Sequence, residues 1–184
     1  MTERELLAGA LRLARPEDRP SIERLIERSV RELCKRDYSP AQIDAALGSA
    51  FGVDSQLIAD GTYFVVEGAG APIAAGGWSF RKTLFGADAR PDRTPERLDP
   101  ARDAARIRAF FVAPEHARRG IGRRLLARCE AEALAHGFQS AELAATLTGV
   151  PLYQALGYLP TRRFSHLLGP GLSIDFVNMH KPLV

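Results

Sequence analysis

The pattern of apolar and polar residues predicts a short strand followed by two helices at the start of the chain. Residues 11–13 are the strand candidate. Beyond it, apolar residues recur three or four positions apart with charged residues between them, which is the spacing of one helix face. These apolar residues are Ile22, Leu25, Ile26, Val30 and Leu33. A second helix has its own start signal, because Ser39 is a good cap, Pro40 suits the first turn and Gln42 completes a capping box.

The middle of the chain has the composition of β-strands. Residues 62–67 are β-branched and aromatic, and after a glycine-rich turn residues 73–83 predict the antiparallel partner. Residues 107–112 predict a further strand that ends at a proline. The intervening segment 86–102 is rich in Pro, Asp and Arg and is longer than an ordinary connection, so it is either a mobile loop or a functional flap.

The last third predicts a helix, a strand, a short helix and a closing antiparallel pair. The buried stripe of the first helix is Ile121, Leu125, Cys129 and Ala133. Residues 141–146 predict the strand, and Thr148 is placed to cap a short helix that Gly157 ends. Residues 163–168 and 172–179 predict the closing pair. This order predicts a mixed sheet with helices on its faces, in one α+β or three-layer α/β domain.

The composition is that of a single globular domain. With 184 residues, of which 46% are hydrophobic, we expect one domain over 1–184, with residues 1–9 as an N-terminal extension. The two cysteines fall inside predicted helices and the four histidines lack ligand spacing, so we expect reduced thiols and no metal. No apolar run reaches membrane length and the start lacks a signal layout, which predicts a cytoplasmic protein without a membrane partner.

Positive charge is concentrated where a predicted helix begins, in residues 118–124 (RRGIGRR), which we call the glycine–arginine turn. Glycines let the backbone approach an anion closely, and the N–H groups at a helix start donate to phosphate oxygens. Arginines on both sides add charge-assisted hydrogen bonds. The turn therefore predicts a diphosphate site, although a solvated basic turn has the same composition.

Three other phosphate-binding classes fit the sequence less well. A dinucleotide fingerprint needs a third glycine where the chain has Leu125, and a P-loop needs a Gly-Lys-Ser/Thr sequence that is absent. A nucleic-acid binder would share the arginine cluster. The net charge is only +3, however, and no aromatic residues are interleaved with the arginines, so we expect no nucleic-acid partner.

Two motifs resemble those of the GNAT-type N-acetyltransferase superfamily. The family signature Arg/Gln-x-x-Gly-x-Gly/Ala lies over ARRGIG at residues 117–122, with Ala117 in place of the first polar residue. A second signature, an aromatic or apolar residue followed by Tyr, two variable residues and Leu-Gly-Phe/Tyr, lies over PLYQALGY at residues 151–158. The predicted element order also fits that family from near Leu11 to the C-terminus.

The resemblance implies a fold and a cosubstrate. The fold is a mixed, mostly antiparallel central sheet flanked by helices in three α/β/α layers. The cosubstrate is acetyl-coenzyme A, whose pantetheine arm would lie between two splayed strands, held by the backbone of Phe111 and Val112, with a nearby N–H polarising the thioester carbonyl. The residues implied in diphosphate binding are Arg118, Arg119, Gly120, Ile121, Gly122, Arg123 and Arg124. Family analogy also allows a homodimer through the C-terminal strands.

Proton transfer is assigned to Tyr153 by the second motif. A phenol with a pKa of about 10 stays protonated at neutral pH and can donate to the departing thiolate. From its spacing alone, Tyr153 is equally a buried aromatic residue that fixes the short helix. The general base is less visible: Glu142 is the nearest candidate by topology, with His116 and Glu115 as alternatives, and each of the three is also consistent with a structural or solvated role.

The sequence leaves the acceptor open. We expect a small-molecule or peptide amine, bound between the N-terminal helices, the hairpin around Trp78 and the segment 86–102. Nothing in these residues distinguishes an amino acid, a polyamine, an antibiotic or a protein N-terminus. The main interpretation is acetyl transfer by direct attack in a ternary complex, and the alternative is a non-catalytic coenzyme A-binding sensor or interaction module on the same fold.

Overall fold

A computed structural model describes residues 9–89 and 96–183, and these form a seven-stranded sheet with the order β1-β2-β3-β4-β5-β7-β6. Residues 1–8 of the expected extension and 90–95 of the long segment lie outside the described residues. The strands are β1 (Ala10–Leu13), β2 (Tyr63–Gly68), β3 (Ala71–Ser79), β4 (Ala105–Val112), β5 (Ser140–Thr146), β6 (Leu159–Gly169) and β7 (Leu172–Pro182). Neighbouring strands are antiparallel except β4 and β5, which confirms the mixed, mostly antiparallel sheet.

Helices cover both faces of the sheet. They are α1 (Arg19–Leu33), α2 (Pro40–Ala46), α3 (Ser55–Ala59), α4 (Ile121–Ala135) and α5 (Val150–Ala155). The apolar stripe of α1 packs in one core with the short helices α2 and α3, and the stripe of α4 packs in a second core with α5. Because burying one large apolar side chain contributes about 1.5–3 kcal/mol, these stripes fix each helix to its face. No helix in the described part of the chain is long and apolar enough to cross a bilayer.

Of the two helix N-caps predicted from the sequence, one is confirmed and one is wrong. The capping box at α2 is confirmed: the Ser39 N–H donates to Gln42 Oε1 at 2.8 Å and the Gln42 N–H to Ser39 Oγ at 3.2 Å. The cap predicted at Thr148 is wrong. Helix α5 starts after Gly149, whose N–H donates to Thr146 Oγ1 at 3.0 Å, while the Thr148 hydroxyl donates to Asp37 at 2.6 Å.

The region after β3 departs from the predicted long hairpin strand. Strand β3 ends at Ser79, and the chain returns past its end, where the Leu98 N–H donates to the Phe80 carbonyl at 2.8 Å. Part of the segment 86–102 is therefore attached to the sheet. Helix α3 was not predicted; Asp54 caps it by accepting from the Gln56 N–H at 3.2 Å.

The two parallel strands diverge soon after they meet. Pairing of β4 with β5 is confined to Ala105 with Ala141 and Arg106 with Glu142. Strand β5 stays paired with β7 along its whole length, and β4 stays paired with β3 as far as Val112. The result is a V-shaped opening in the middle of the sheet, closed at the Arg106–Glu142 end.

A bulge bends β4 beside this opening. Ala109 has a positive φ of 54°, and Ala109 and Phe110 together oppose Gly76 on β3. A Cβ atom at Gly76 would lie 2.8 Å from the Phe110 ring, so glycine is required there. The Tyr63 hydroxyl donates to the Ala109 carbonyl at 3.2 Å and holds the bulge. Bulges of this kind interrupt the regular pairing of a strand and bend it, and this one lies beside the V-shaped opening.

Candidate active site

A cavity of about 600 Å³ fills the V-shaped opening and connects the two faces of the sheet. On the α4 face it is lined by the glycine–arginine turn and by α5. On the α1 face it is lined by α1 itself and by a group of phenylalanines. Between them lie residues of β4 and β5, including Phe111 and Val112.

The glycine–arginine turn has the geometry of an anion site. Arg118 and Gly120 both have positive φ, 63° and 82°, and α4 starts at Ile121. The first N–H to reach a helical acceptor is that of Arg124, which donates to the Gly120 carbonyl at 3.0 Å. The N–H groups of Ile121, Gly122 and Arg123 therefore have no acceptor among the described residues. Such a run of free N–H groups at a helix start binds anions.

The structure brings most, but not all, of the predicted diphosphate residues to the cavity. Its lining includes Arg118, Gly120, Ile121, Gly122 and Arg123. Arg119 is exposed and is not part of the lining, and the Arg124 guanidinium donates to the Gly9 carbonyl at 2.8 Å.

Tyr153 lies in the cavity wall on α5. Its side chain is 8% exposed and packs edge-on against the rings of Phe110, at 6.4 Å, and Tyr158, at 5.8 Å. Within residues 9–89 and 96–183, no group forms a hydrogen bond with its hydroxyl. Burial raises its pKa well above the usual value of a phenol, so the group stays a proton donor at neutral and mildly alkaline pH.

The four tyrosines give a prediction for alkaline titration. Tyr38, Tyr63, Tyr153 and Tyr158 are all buried, and burial raises the pKa of each. We expect the native protein to show almost no tyrosinate absorbance at a pH of about 10.5, where a free phenol is more than half ionised. Raised folded-state pKa values also mean that stability falls as the pH rises above about 10, because the unfolded chain ionises first.

Ultraviolet absorbance against pH, with the protein in denaturant as the fully exposed reference, measures this directly. Half of the tyrosinate signal appearing near the reference midpoint in the native protein would contradict the burial of these side chains.

The candidate general bases lie in different places. Glu142 pairs with Arg106 at the closed end of the V and is not part of the cavity lining, so the structure does not bring it together with Tyr153. Glu115 is exposed and accepts from Arg28 at 2.9 and 3.0 Å. His116 lines the cavity, and its buried Nδ1 has no hydrogen-bond partner in the described structure. The identity of the base stays a prediction.

A buried ion pair at the cavity was missed by the sequence analysis. The Arg108 guanidinium lies 2.7 Å from Asp54 and donates to the Gly86 carbonyl at 3.0 Å. Their side chains are 2% and 0% exposed. An arginine inside the apolar run IRAFFV was the available signal, since such a residue is rarely buried without a partner.

The walls of the cavity differ from those expected. The Trp78 ring is 1% exposed and lies in the α4-side core against Phe80, His136 and Phe138. The hairpin expected to wall the acceptor site therefore does not line this cavity. Helix α1 does line the cavity, and Gly86 of the long segment contributes. Of the phenylalanines on the α1 face, Phe111 was singled out from the sequence only for its backbone. The others, Phe51, Phe85 and Phe176, were not singled out, because each comes from a different segment.

Comparison with sequence families gives one clear match. The profile of the Acetyltransferase (GNAT) family matches residues 22–158, which is most of the chain and includes both motifs. No curated protein matches the sequence closely enough to be called a relative.

Solved structures show the same fold at low sequence identity. A GCN5-related N-acetyltransferase from Rhodopseudomonas palustris has a TM-score of 0.69 and 21% identity, with 95% of each chain covered. The PaiA N-acetyltransferase of Thermoplasma acidophilum, in complex with coenzyme A, has a TM-score of 0.63 and 14% identity over 94% of this chain and 98% of that one. YncA of Salmonella typhimurium, with its cofactor acetyl-CoA, has a TM-score of 0.62 and 20% identity over 96% and 95%.

Proposed function

Because the chain belongs to the acetyltransferase (GNAT) family, we propose that it transfers the acetyl group of acetyl-coenzyme A to a primary amine by direct attack in a ternary complex. The observation that carries this proposal is the cavity in the V-shaped opening. The proposal is supported by the lining of this cavity, which includes the free N–H groups of the glycine–arginine turn, the unpaired facing edges of β4 and β5, and Tyr153. The coenzyme complexes of the Thermoplasma and Salmonella proteins support this cosubstrate.

The chain offers separate groups for the parts of the coenzyme. The N–H groups of Ile121, Gly122 and Arg123 would hold the diphosphate, with the guanidinium groups of Arg118 and Arg123 adding charge. The edge of β4 near Phe111 and Val112 would hold the pantetheine arm as an added strand, because its facing ladder is missing. Acetyl-coenzyme A supplies an activated thioester carbonyl.

Tyr153 would complete the transfer. The amine nitrogen forms a bond to the carbonyl carbon, the carbon–sulfur bond breaks, and the phenol gives its proton to the departing thiolate. The proton lost by the amine returns to the tyrosine through water, so an amide and a neutral thiol result. A backbone N–H aimed at the carbonyl oxygen by the β4 bulge would add about 2.7–4 kcal/mol of transition-state stabilisation.

Replacing Gly120 by alanine tests the diphosphate site. Gly120 has φ of 82° with open space around it, and an L-residue in this conformation costs about 1–2 kcal/mol. If the turn relaxes to relieve that strain, its N–H groups lose their alignment. We therefore expect coenzyme A affinity to fall by about 5–30-fold, as measured by calorimetry.

Gly70→Ala is the matched control, because Gly70 has φ of 80°, is equally open and lies in the β2–β3 turn away from the cavity. Both variants should lose similar stability, and only Gly120→Ala should lose affinity. Equal affinity of the two variants, or no coenzyme A binding by the unmodified protein, would refute the proposed site. Coenzyme binding without acetyl transfer to any amine would favour the sensor interpretation.

The role of Glu142 as a base is tested by the pH dependence of kcat/KM in Glu142→Gln. Loss of the limb that reports deprotonation of a base would support the assignment. An unaltered limb, which the ion pair with Arg106 favours, would remove Glu142 and leave a structural role at the closed end of the V.

A further inference from the structure

The acceptor end of the cavity points to one class of amine. Resting on the proposed acetyl transfer, we propose that the acceptor is an apolar, ring-bearing amine that is already uncharged at neutral pH, such as an arylamine. Polyamines and aminoglycosides, which are polycations, would be poor substrates. The proposal rests on the aromatic groups and the charges that line the α1 face of the cavity.

Four phenylalanine side chains form the aromatic part of this wall. Phe51, Phe85, Phe111 and Phe176 all line the cavity. Phe51 lies edge-on to Phe111 at 6.4 Å and to Phe176 at 6.1 Å, and Phe85 lies 5.1 Å from Phe176. Phe111 also belongs to the β4 edge proposed to hold the pantetheine arm, so the aromatic wall adjoins the place where the thioester would lie. An aromatic ring packs well against such a wall.

The charges along the cavity do not suit a cation. Among the residues that the structure describes, no Asp or Glu belongs to its lining. The charged or titratable lining groups are Arg108, His116, Arg118, Arg123, Tyr153 and Cys34. Arg108 is matched by Asp54 at 2.7 Å, and Arg118 and Arg123 lie at the proposed diphosphate end. An ammonium group would therefore lose its water without gaining a carboxylate, which is strongly unfavourable.

The lack of Asp or Glu among the described lining residues also favours an acceptor that is unprotonated before it binds. Amide formation needs the nitrogen lone pair, which an alkylammonium ion with a pKa of about 10.4 lacks at neutral pH. An enzyme acting on such a cation needs a base to deprotonate it, and no Asp or Glu among the described lining residues is placed to do so. An arylamine needs no such base before attack, because its lone pair is free, and its ring is apolar.

Aniline and cyclohexylamine make a matched pair for the test. Each carries one amino group on a six-membered ring, but aniline is neutral and cyclohexylamine is a cation near neutral pH. We expect kcat/KM at neutral pH, measured by release of free coenzyme A from the full chain, to be at least about tenfold higher for aniline than for spermidine, kanamycin or cyclohexylamine. The ratio of cyclohexylamine to aniline kcat/KM should rise about tenfold per pH unit from about pH 7 to pH 9, as the neutral fraction grows.

Taking the ratio of the two kcat/KM values cancels any change in the protonation of the enzyme itself, because both amines meet the same enzyme at each pH. A ratio that does not change with pH would show that the enzyme binds and deprotonates the cation itself, and would overturn the proposal. So would higher kcat/KM for spermidine or kanamycin, or no acetylation of aniline by protein that binds coenzyme A. Absence of coenzyme A binding would instead refute the proposed function.

Variants of the aromatic wall supply a second measurement. Phe85 is half-buried, and Phe85→Ala should raise the aniline KM by at least about tenfold while coenzyme A affinity stays unchanged. Phe80→Ala is the control, since Phe80 is also half-buried but does not line the cavity. Phe85→Leu serves if the alanine variant does not fold, with a smaller rise in KM. An unchanged aniline KM in a folded Phe85 variant would overturn the placement of the ring.

Discussion

Replacing Tyr153 by phenylalanine is expected to lower kcat by about 10²–10⁴-fold, which is the usual contribution of a positioned general acid. Coenzyme A affinity should stay unchanged, because the ring keeps its packing against Phe110 and Tyr158 and no described group is hydrogen-bonded to the lost hydroxyl. Steady-state kinetics with saturating acetyl-coenzyme A, together with calorimetry, separate the two quantities. The loss should be in turnover alone.

Tyr158→Phe is the matched control for this variant. Tyr158 lies on the same segment and is fully buried, but it does not line the cavity. The variant thus removes the same hydroxyl oxygen from a neighbouring tyrosine that does not contact the reacting groups, so kcat should be unaffected. Similar turnover in Tyr153→Phe and the unmodified protein would refute proton donation by Tyr153, whereas a loss in both variants would show that the effect comes through packing.

The second large effect is expected on stability, at the ion pair between Asp54 and Arg108. Asp54→Ala leaves the guanidinium buried without its carboxylate and also removes the cap of α3. Breaking a buried pair on one side costs about 3–5 kcal/mol. Since a domain is stable by about 5–15 kcal/mol in total, this single change should remove a large share of the free energy of unfolding, measured by denaturant titration.

Two further variants make this measurement specific. The double variant Asp54→Asn with Arg108→Met removes both charges, and it should recover part of the loss because no unpaired ion remains buried. Arg31→Ala breaks the exposed pairs with Asp44 and Glu27 and should leave the free energy of unfolding almost unchanged. Equal destabilisation by Asp54→Ala and Arg31→Ala would contradict the burial of the pair.

Features set by neighbouring residues were predictable from the sequence. The capping box at Ser39 and Gln42, the apolar stripe from Ile121 to Ala133 and the glycine–arginine turn all depend on spacings within one helix or turn. Each of these features depends on residues that are only three or four positions apart, so its pattern can be read directly in the sequence. The fold class followed from the order of these elements together with the two motifs.

Features set by distant residues were not predictable. The bulge at Ala109 depends on Gly76 and on the hydroxyl of Tyr63, which come from two other strands. Arg108 meets Asp54 from more than fifty positions away, and the aromatic wall joins four segments. The cap predicted at Thr148 also depends on distant residues, because its hydroxyl donates to Asp37, 111 positions away, and the helix starts after Gly149. None of these contacts between distant residues can be recognised from the residue types near either partner in the sequence.

The divergence of β4 from β5 has a consequence for how substrates enter the cavity and products leave it. Tyr153 belongs to the core beneath α4, whereas Phe51 and Phe176 belong to the core beneath α1, so the gap is a window that joins two layers the sheet otherwise separates. Strand β5 stays paired with β7 along its whole length, and β4 stays paired with β3 on both sides of its bulge, so the sheet holds together although β4 and β5 diverge. With the proposed function, the coenzyme would enter from the α4 face and the amine from the α1 face. Each would then bind, and its product leave, without passing the other.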